Sequence, residues 1–134
     1  MKKLVRLPEA ELSVMRAVWR LPAPAPTGAI RARLEKERPW NLSALQTLLS
    51  RLTERGFLSA GKEGRQNVYT PLVSEGEYVA FENAPFLEGK GLPGLVTALY
   101  DSQSISREDL AELRAFLDQA MGKIAVKVVV TMGR

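Results

Sequence analysis

A run of polar side chains between residues 41 and 56 has the spacing of one helix face that could contact an extended polyanion. In NLSALQTLLSRLTERG the apolar positions recur at i, i+3, i+4 and i+7, which predicts one buried stripe of Leu45, Leu48, Leu49 and Leu52. The outward positions are Ser43, Ala44, Gln46, Thr47, Ser50 and Arg51, none of which is acidic. Amide, hydroxyl and guanidinium groups hydrogen-bond with base edges and phosphates, so this face suits contact with nucleic acid.

A second basic feature follows in KEGRQNVYTP at residues 62–71. Lys62 and Arg65 flank Gly64, whose freedom to take a positive φ suits a tight turn between the runs FLSAG and QNVYT. The pattern predicts an antiparallel hairpin with a cationic tip that reaches a phosphate backbone. An ordinary solvated helix face and an ordinary charged turn would explain each feature taken singly. The combination of the two favours nucleic acid.

The charges of the chain are unevenly distributed around a net charge of +4. Residues 1–73 contain 13 Lys or Arg against 6 Asp or Glu, whereas residues 74–134 contain 6 against 9. A basic first half suits a polyanion, because neutralised phosphates release counterions. A solvated surface with a chance excess of arginine is the alternative that charge alone leaves open.

The composition excludes several classes of chemistry. The chain has no Cys and no His, which rules out disulfides, thiolate chemistry, Cys/His zinc sites and a Ser-His-Asp triad. There is no glycine-rich phosphate loop and no cluster of metal ligands, so we predict no catalytic residue, no metal, no cofactor and no enzymatic activity. The N-terminal MKKLVRLPEAEL lacks the apolar core of a signal peptide, and no stretch has membrane-spanning length. We therefore expect a cytoplasmic protein.

The elements that would position these side chains occupy residues 1–73. A helix is predicted from near Pro8, followed by the proline-rich loop LPAPAPT, a second helix that Thr27 caps and Pro39 closes, and the leucine-rich third helix ending at Gly56. Asn41 or Ser43 would cap the third helix. For each of them, capping alone and contact with a base both remain open. Trp19, Trp40 and Tyr69 are expected to pack. Three helices followed by a hairpin predict a winged helix-turn-helix domain.

Residues 74–121 are predicted to form a helical dimerisation region. Ser74 with Glu77, and Ser106 with Asp109, have the spacing of helix-capping pairs. The apolar stripes behind these caps are short, so we expect a second subunit to cover them. Their members are Leu92, Leu95, Val96, Leu99, Leu110, Leu113, Phe116 and Leu117. The chain is thus predicted to be mainly α with a small β-hairpin.

The tail at residues 122–134, GKIAVKVVVTMGR, changes to β-branched residues. Its alternation is compatible with an added strand, which would invite pairing with another chain. Pairing across a dimer and the absence of fixed structure both remain open.

The segments LPEAELSVMRAVW, WNLSALQTLLSRLTERGFL and KEGRQNVYTP together resemble the penicillinase-repressor family of transcription factors, over about residues 5–118. The resemblance implies a homodimeric repressor that binds a palindromic operator, with recognition-helix positions at Ser43, Ala44, Gln46, Thr47 and Arg51 and wing positions at Lys62 and Arg65. Family members often carry Pro-Lys-Thr where this chain has Leu42, Ser43 and Ala44, which implies fewer direct contacts and a different preferred operator. A winged helix that docks proteins, or one that binds DNA without sequence preference, is the alternative.

The resemblance also implies how such a repressor is released. In the better-known members a membrane-bound sensor leads to proteolysis at an Asn-Phe bond, which aligns with Ala98 and Leu99 here, so that bond is absent. Copper-responsive members carry a cysteine-rich motif, and this chain has no cysteine. We predict a different signal, either proteolysis at another bond by an unidentified protease or a small ligand.

Overall fold

A computed structural model describes residues 4–132 of the chain, including the side chains of residues 4–89 and 91–123. Five helices and three short strands follow one another, and contacts divide them into two units, Met1–Ala84 and Pro85–Arg134. The elements are α1 Glu9–Trp19, β1 Ala25–Pro26, α2 Thr27–Leu34, α3 Leu42–Glu54, β2 Leu58–Glu63, β3 Gln66–Pro71, α4 Glu75–Asp101 and α5 Arg107–Met132. The predicted fold class, a mainly helical chain with an N-terminal winged helix, is confirmed.

The core of the first unit lies where α1, α2 and α3 pack together above the sheet. α1 contributes Val14, Met15 and Val18, and α3 contributes three leucines with no exposed surface. α2 faces the core only through Ile30 and Leu34, and it ends at Leu34 rather than at the predicted Pro39. The charged residues 35–38 that follow have no apolar position to bury, which explains the earlier end.

The sheet has three antiparallel strands in the order β1-β3-β2, one more than the predicted hairpin. β2 and β3 pair from Leu58 opposite Pro71 to Glu63 opposite Gln66, leaving Gly64 and Arg65 as the turn. Gly64 has φ 64°, as expected for the first turn residue of a type II′ hairpin. β1 lies inside the proline-rich loop, where proline is tolerated because the strand is at the edge of the sheet.

Helix α4 begins in the first unit. Its predicted capping pair is confirmed: the Glu77 amide donates to the Ser74 hydroxyl at 3.1 Å, and the Ser74 amide donates to the Glu77 carboxylate at 2.9 Å. One turn later, Tyr78 lies in the core, 1% exposed. The division between units therefore falls after Ala84, eleven residues beyond the boundary that the sequence predicted at 73/74.

The second unit consists of the remainder of α4 and of α5. Gly91 has φ 71° and ψ 179°, a conformation open to glycine, and it divides α4 into helical segments at 75–90 and 92–101. The predicted cap of α5 is confirmed, with the Asp109 amide donating to the Ser106 hydroxyl at 3.1 Å. Among residues 4–132, no helix is long and apolar enough to cross a membrane.

The tail differs from the strand that its alternation suggested, because α5 continues without a break through Met132. Extending a formed helix adds one hydrogen bond per residue fixed, and the unfavourable propensity of β-branched residues is only about 0.7 kcal/mol or less each. No proline interrupts residues 107–132, so the preceding helix determines the local conformation.

Candidate nucleic-acid interface

Helix α3 presents the polar face that the sequence predicted. Leu45, Leu49 and Leu52 are buried and Leu48 is partly buried, which fixes the rotation of the helix. All six predicted contact positions are exposed: Ser43, Ala44, Gln46, Thr47, Ser50 and Arg51. No carboxylate lies among these positions, and the one acidic residue of α3, Glu54, is at its last turn, so the N-terminal part of the face can approach a phosphate backbone without repulsion from its own side chains.

The hydrogen bonds of α3 divide its polar residues into two groups. Asn41 is the N-cap, its side-chain oxygen accepting from the Ala44 amide at 3.1 Å, and the Thr47 hydroxyl donates to the Ser43 carbonyl at 3.1 Å. Asn41 rather than Ser43 is thus the cap. Across the described part of the chain, Gln46, Ser50 and Arg51 form no side-chain hydrogen bond or salt bridge. Those three side chains are available to a ligand.

An ion pair between a buried carboxylate and a partly exposed guanidinium fixes the C-terminal end of α3 against α1. Glu11 is 2% exposed, and its carboxylate accepts from Arg55 Nε at 2.7 Å and from the Arg55 guanidinium again at 3.5 Å. Arg55 is the C-cap residue of α3. Removing Arg55 would leave the buried Glu11 carboxylate without its cation, which destabilises the folded state. The pair therefore holds the exposed face of α3 in one orientation.

The pair between Glu11 and Arg55 was not predicted from the sequence. The signal was present, since Glu11 shares the spacing i, i+3, i+4 and i+7 with Val14, Met15 and Val18, all of them buried. A carboxylate on an apolar stripe requires a cation or hydrogen-bond donors that reach it in the folded protein. The identity of that cation, 44 residues away, is a tertiary property.

The predicted wing is present as the tip of the β2–β3 hairpin. Lys62 pairs across the strands with Asn67, while Arg65 occupies the turn, and both side chains are exposed. Neither forms an ion pair within the described residues, although Glu63 lies between them in the sequence. The tip therefore offers two cations to solvent.

Helix α2 starts beside the base of this wing. Its N-cap is Pro26, with no side-chain capping bond, so the prediction that Thr27 caps it was wrong. Thr27 is instead the first helical residue, because the strand β1 holds the chain extended up to Pro26. The Thr27 hydroxyl donates to the Asn67 carbonyl at 3.5 Å, which ties α2 to β3.

The aromatic residues pack as predicted. Trp40 is 7% exposed with the Arg38 guanidinium 4.3 Å from its ring centre, and Tyr69 is 8% exposed within the sheet. The Trp19 indole donates to the Val73 carbonyl at 2.9 Å. Their rings pack against other parts of the protein, so bases cannot stack on them.

The predicted dimerisation residues lie in the second unit without forming a buried core in the single chain. Five of them are partly buried: Leu95, Val96, Leu99, Leu110 and Leu113. The others are exposed, Leu92 by 52%, Phe116 by 63% and Leu117 by 42%. Among the described side chains of residues 85–123, none reaches the burial of the first unit's core.

Comparison with known proteins identifies the group to which this geometry belongs. Residues 7–119 match the family model described as "Penicillinase repressor". The chain belongs to the penicillinase repressor family. A protein named "Penicillinase repressor" from Bacillus licheniformis is 32% identical over 122 residues, covering 89% of this chain and 94% of that protein.

Two further proteins match most of the length and the N-terminal part of the chain, respectively. The methicillin resistance regulatory protein MecI of Mammaliicoccus sciuri is 25% identical, covering 87% of this chain and 97% of its own length. The solution structure of the DNA-binding domain of the repressor BlaI is 38% identical with a TM-score of 0.50, covering 58% of this chain and 94% of that domain. The penicillinase repressor fold thus includes the winged helix of the first unit.

Proposed function

We propose that this penicillinase repressor family member is a homodimeric transcriptional repressor that binds a palindromic operator through α3 and the hairpin wing. The observation that carries the proposal is the exposed face of α3, which has no acidic group before its last residue, Glu54, and retains three polar side chains with no partner among the described residues. The relatives named as repressors, and the solved domain named as DNA-binding, support it.

Each exposed side chain of α3 has a role that its chemistry supports. Gln46 can pair bidentately with adenine, Arg51 with guanine or a phosphate, and Ser50 with either kind of partner. Ser43 and Ala44 lie in the first turn, where backbone amides favour a phosphate and small side chains allow close approach. These residues would enter the major groove, as in other helix-turn-helix proteins.

The wing is proposed to contact the DNA backbone. Lys62 and Arg65 have no partner within the described residues, and a lysine acts on phosphates as a point charge while an arginine can donate two bonds. Backbone contacts position the protein without reading sequence. The wing thus adds affinity that depends on salt concentration, and α3 adds the discrimination between sequences.

Dimerisation is proposed through the second unit. Its partly buried leucines and its exposed Phe116 and Leu117 form an apolar surface with no buried core of its own. A second copy related by two-fold symmetry would cover this surface on both chains. The same symmetry presents two α3 helices to half-sites roughly 34 Å apart, or a multiple of that distance, which a palindromic operator requires.

The expected place of action is the cytoplasm, where operator DNA lies. The bond between Ala98 and Leu99 belongs to the 92–101 segment of α4 and is not an Asn-Phe bond. A sensor or protease acting on this chain would therefore recognise another sequence.

The first test is binding to the promoter of the protein's own operon, measured by fluorescence anisotropy against random DNA over a salt series. We expect selective, salt-sensitive binding with two protomers per palindrome. Equal binding to every DNA would point to an architectural protein, and absence of binding at low salt would point to a protein-docking module.

The dimer is tested separately by Phe116→Glu, which places a charge on the exposed apolar surface. Sedimentation equilibrium should show a shift from dimer to monomer, with weaker operator binding. Ala115→Glu is the matched control, because Ala115 is also exposed but lies on the opposite side of α5, and it should remain dimeric. Unchanged dimerisation of the Phe116 variant would contradict this interface.

A further inference from the structure

A groove between α1 and α2 is lined by an unusual number of arginines. Its volume is about 220 Å³, and its lining is Ser13, Arg16, Ala17, Arg20, Arg33, Leu34 and Glu37. Three residues of α1 and its C-cap residue Arg20 follow the spacing i, i+3, i+4 and i+7 and so share one helix face. None of the lining residues belongs to α3 or to the wing, so the groove is separate from the proposed DNA-contacting surface.

The positive charges in the groove are only partly neutralised. Arg16 and Arg33 form no hydrogen bond or salt bridge within the described part of the chain, and the Ser13 hydroxyl is unpaired as well. Glu37 is the one carboxylate in the lining. Three guanidinium groups face Glu37 in the lining and Glu75 beside Arg20, so the positive charges of the concave site exceed the negative charges by one and give a positive local potential.

Arg20 links the groove to the start of α4. Its guanidinium donates to the Glu75 carboxylate at 2.6 Å. This hydrogen bond is the main reason that the pKa of Glu75 is lowered, and the charge of Arg16 acts in the same direction. Glu75 is the first residue of α4, so one arginine faces both the groove and this helix terminus.

We propose that the α1–α2 groove binds a small oxyanion, a ligand that carries a phosphate or carboxylate group. Planar guanidinium groups match both anions, because they donate paired hydrogen bonds, and the Ser13 hydroxyl supplies a further donor. The volume suits a small molecule rather than a macromolecule. A bound anion would share Arg20 with Glu75 and so connect occupancy of the groove to the first turn of α4.

This site does not depend on the proposed DNA binding, and it supplies a candidate for the small-ligand signal that the sequence left open. The ligand proposed for the groove is a free anion in solution. A DNA backbone phosphate has the same chemistry, so the experiment must separate the two sources.

The test is NMR of the ¹⁵N-labelled full chain, following the arginine Nε–Hε signals while sodium phosphate replaces sodium chloride at constant ionic strength. We expect saturable shifts at Arg16, Arg20 and Arg33, and displacement of phosphate by succinate. Arg33→Gln should weaken phosphate binding roughly tenfold through loss of a charge-assisted contact. Lys36→Gln removes a nearby charge that does not line the groove and should leave binding unchanged.

Three results would overturn the proposal. If the groove arginines show no shifts, or if Arg51 and Arg65 show equal shifts that do not saturate, phosphate acts only through the general ion atmosphere. Equal weakening by Arg33→Gln and Lys36→Gln would exclude a specific groove. Operator DNA that shifts the three groove arginines and blocks phosphate would assign them to the DNA backbone. Because Arg51 and Arg65 report on DNA in the same spectra, failure here and failure of the proposed repressor function are distinguishable.

Discussion

The hydroxyl of Thr47 is already engaged with the Ser43 carbonyl, which changes what this side chain can read. Its hydrogen is committed to the backbone, so the hydroxyl cannot donate to a base; its oxygen can still accept, and the γ-methyl is free for an apolar contact. In the major groove the partner of a methyl group is the C5-methyl of thymine. Within the proposed interface, Thr47 therefore acts as an apolar contact rather than as a hydrogen-bond donor.

Substitutions at Thr47 test this assignment. Thr47→Val keeps a methyl at the same place and should retain operator affinity, whereas Thr47→Ser loses it and should bind about fourfold more weakly, the effect of one buried methyl-sized group. When uracil replaces thymine in the operator, fluorescence anisotropy should show the same loss of affinity for the wild-type protein. The Thr47→Ser variant should lose no further affinity on that DNA. Greater loss with Val than with Ser would show that the hydroxyl makes the contact.

Tyr78 joins an apolar cluster to a buried backbone group. Its ring centre lies 6.1 Å from that of Trp19, 5.7 Å from Phe57 and 6.0 Å from Phe81. Its hydroxyl accepts from the Leu7 amide at 2.8 Å. Burial, which penalises the charged phenolate, is the main reason that the pKa of Tyr78 is raised.

This raised pKa predicts a loss of stability at alkaline pH. The folded pKa exceeds the unfolded value of about 10, so the contribution of Tyr78 is complete below that value and is lost as the pH rises through the folded pKa. Urea unfolding between pH 8 and 11.5 should show the decrease. Tyr78→Phe should lower the free energy of unfolding by roughly 1–3 kcal/mol at neutral pH, because the Leu7 amide loses its acceptor, but should flatten the alkaline decrease.

The exposed Tyr100 offers the matched control. Tyr100→Phe should keep both the stability at neutral pH and the alkaline decrease. An unchanged alkaline slope in the Tyr78→Phe variant would mean that other groups cause it.

At the scale of elements, α3 is proposed to discriminate between DNA sequences, and the wing is proposed to add affinity for any sequence. Lys62→Ala and Arg65→Ala should weaken binding to every DNA sequence and lower the slope of log affinity against log salt by roughly one unit each. Arg51→Ala should weaken operator binding more than binding to random DNA. Arg114→Ala, an exposed change in α5, serves as the control and should leave both unchanged. Equal loss on all sequences from every variant would argue against base readout by α3.

The sequence was most informative where periodicity and capping act locally. The leucine stripe of α3, the Ser74 and Ser106 caps and the Gly64 turn were predicted because each depends on residues a few positions apart. The pairing of β1 with β3 was not, because Ala25 and Tyr69 are joined by the tertiary fold. For the tail, an existing helix overrode local β-propensity.

For the candidate site, the sequence predicted which side chains face outward but not which remain unpaired. The Asn41 cap was predicted as one of two alternatives, whereas the Thr47 bond and the Glu11–Arg55 pair required the three-dimensional structure. The groove between α1 and α2 also escaped prediction, since its arginines come from two helices that only the fold brings together.

At the scale of the whole molecule, the position of Tyr78 predicts where the chain can be divided. A fragment of residues 1–73 lacks this buried ring, and removing a large buried aromatic group costs roughly 3–5 kcal/mol out of a typical total of 5–15 kcal/mol. Thermal melts followed by circular dichroism should show cooperative unfolding for residues 1–84 and a strongly lowered Tm for residues 1–73. Equal Tm values for the two fragments would mean that α4 adds nothing to the first unit.

The absence of a buried side chain among those described in residues 85–123 has a consequence for gene dosage. In the proposed two-fold dimer, this region packs fully only against a second copy. Its stability therefore depends on the concentration of the protein in the cell. When most chains are monomeric, halving the concentration of the protein by growth without new synthesis reduces the concentration of the dimer to about one quarter. Repression would then respond to dilution more steeply than a monomeric regulator allows, and slow growth and fast growth would give different basal expression from the same operator.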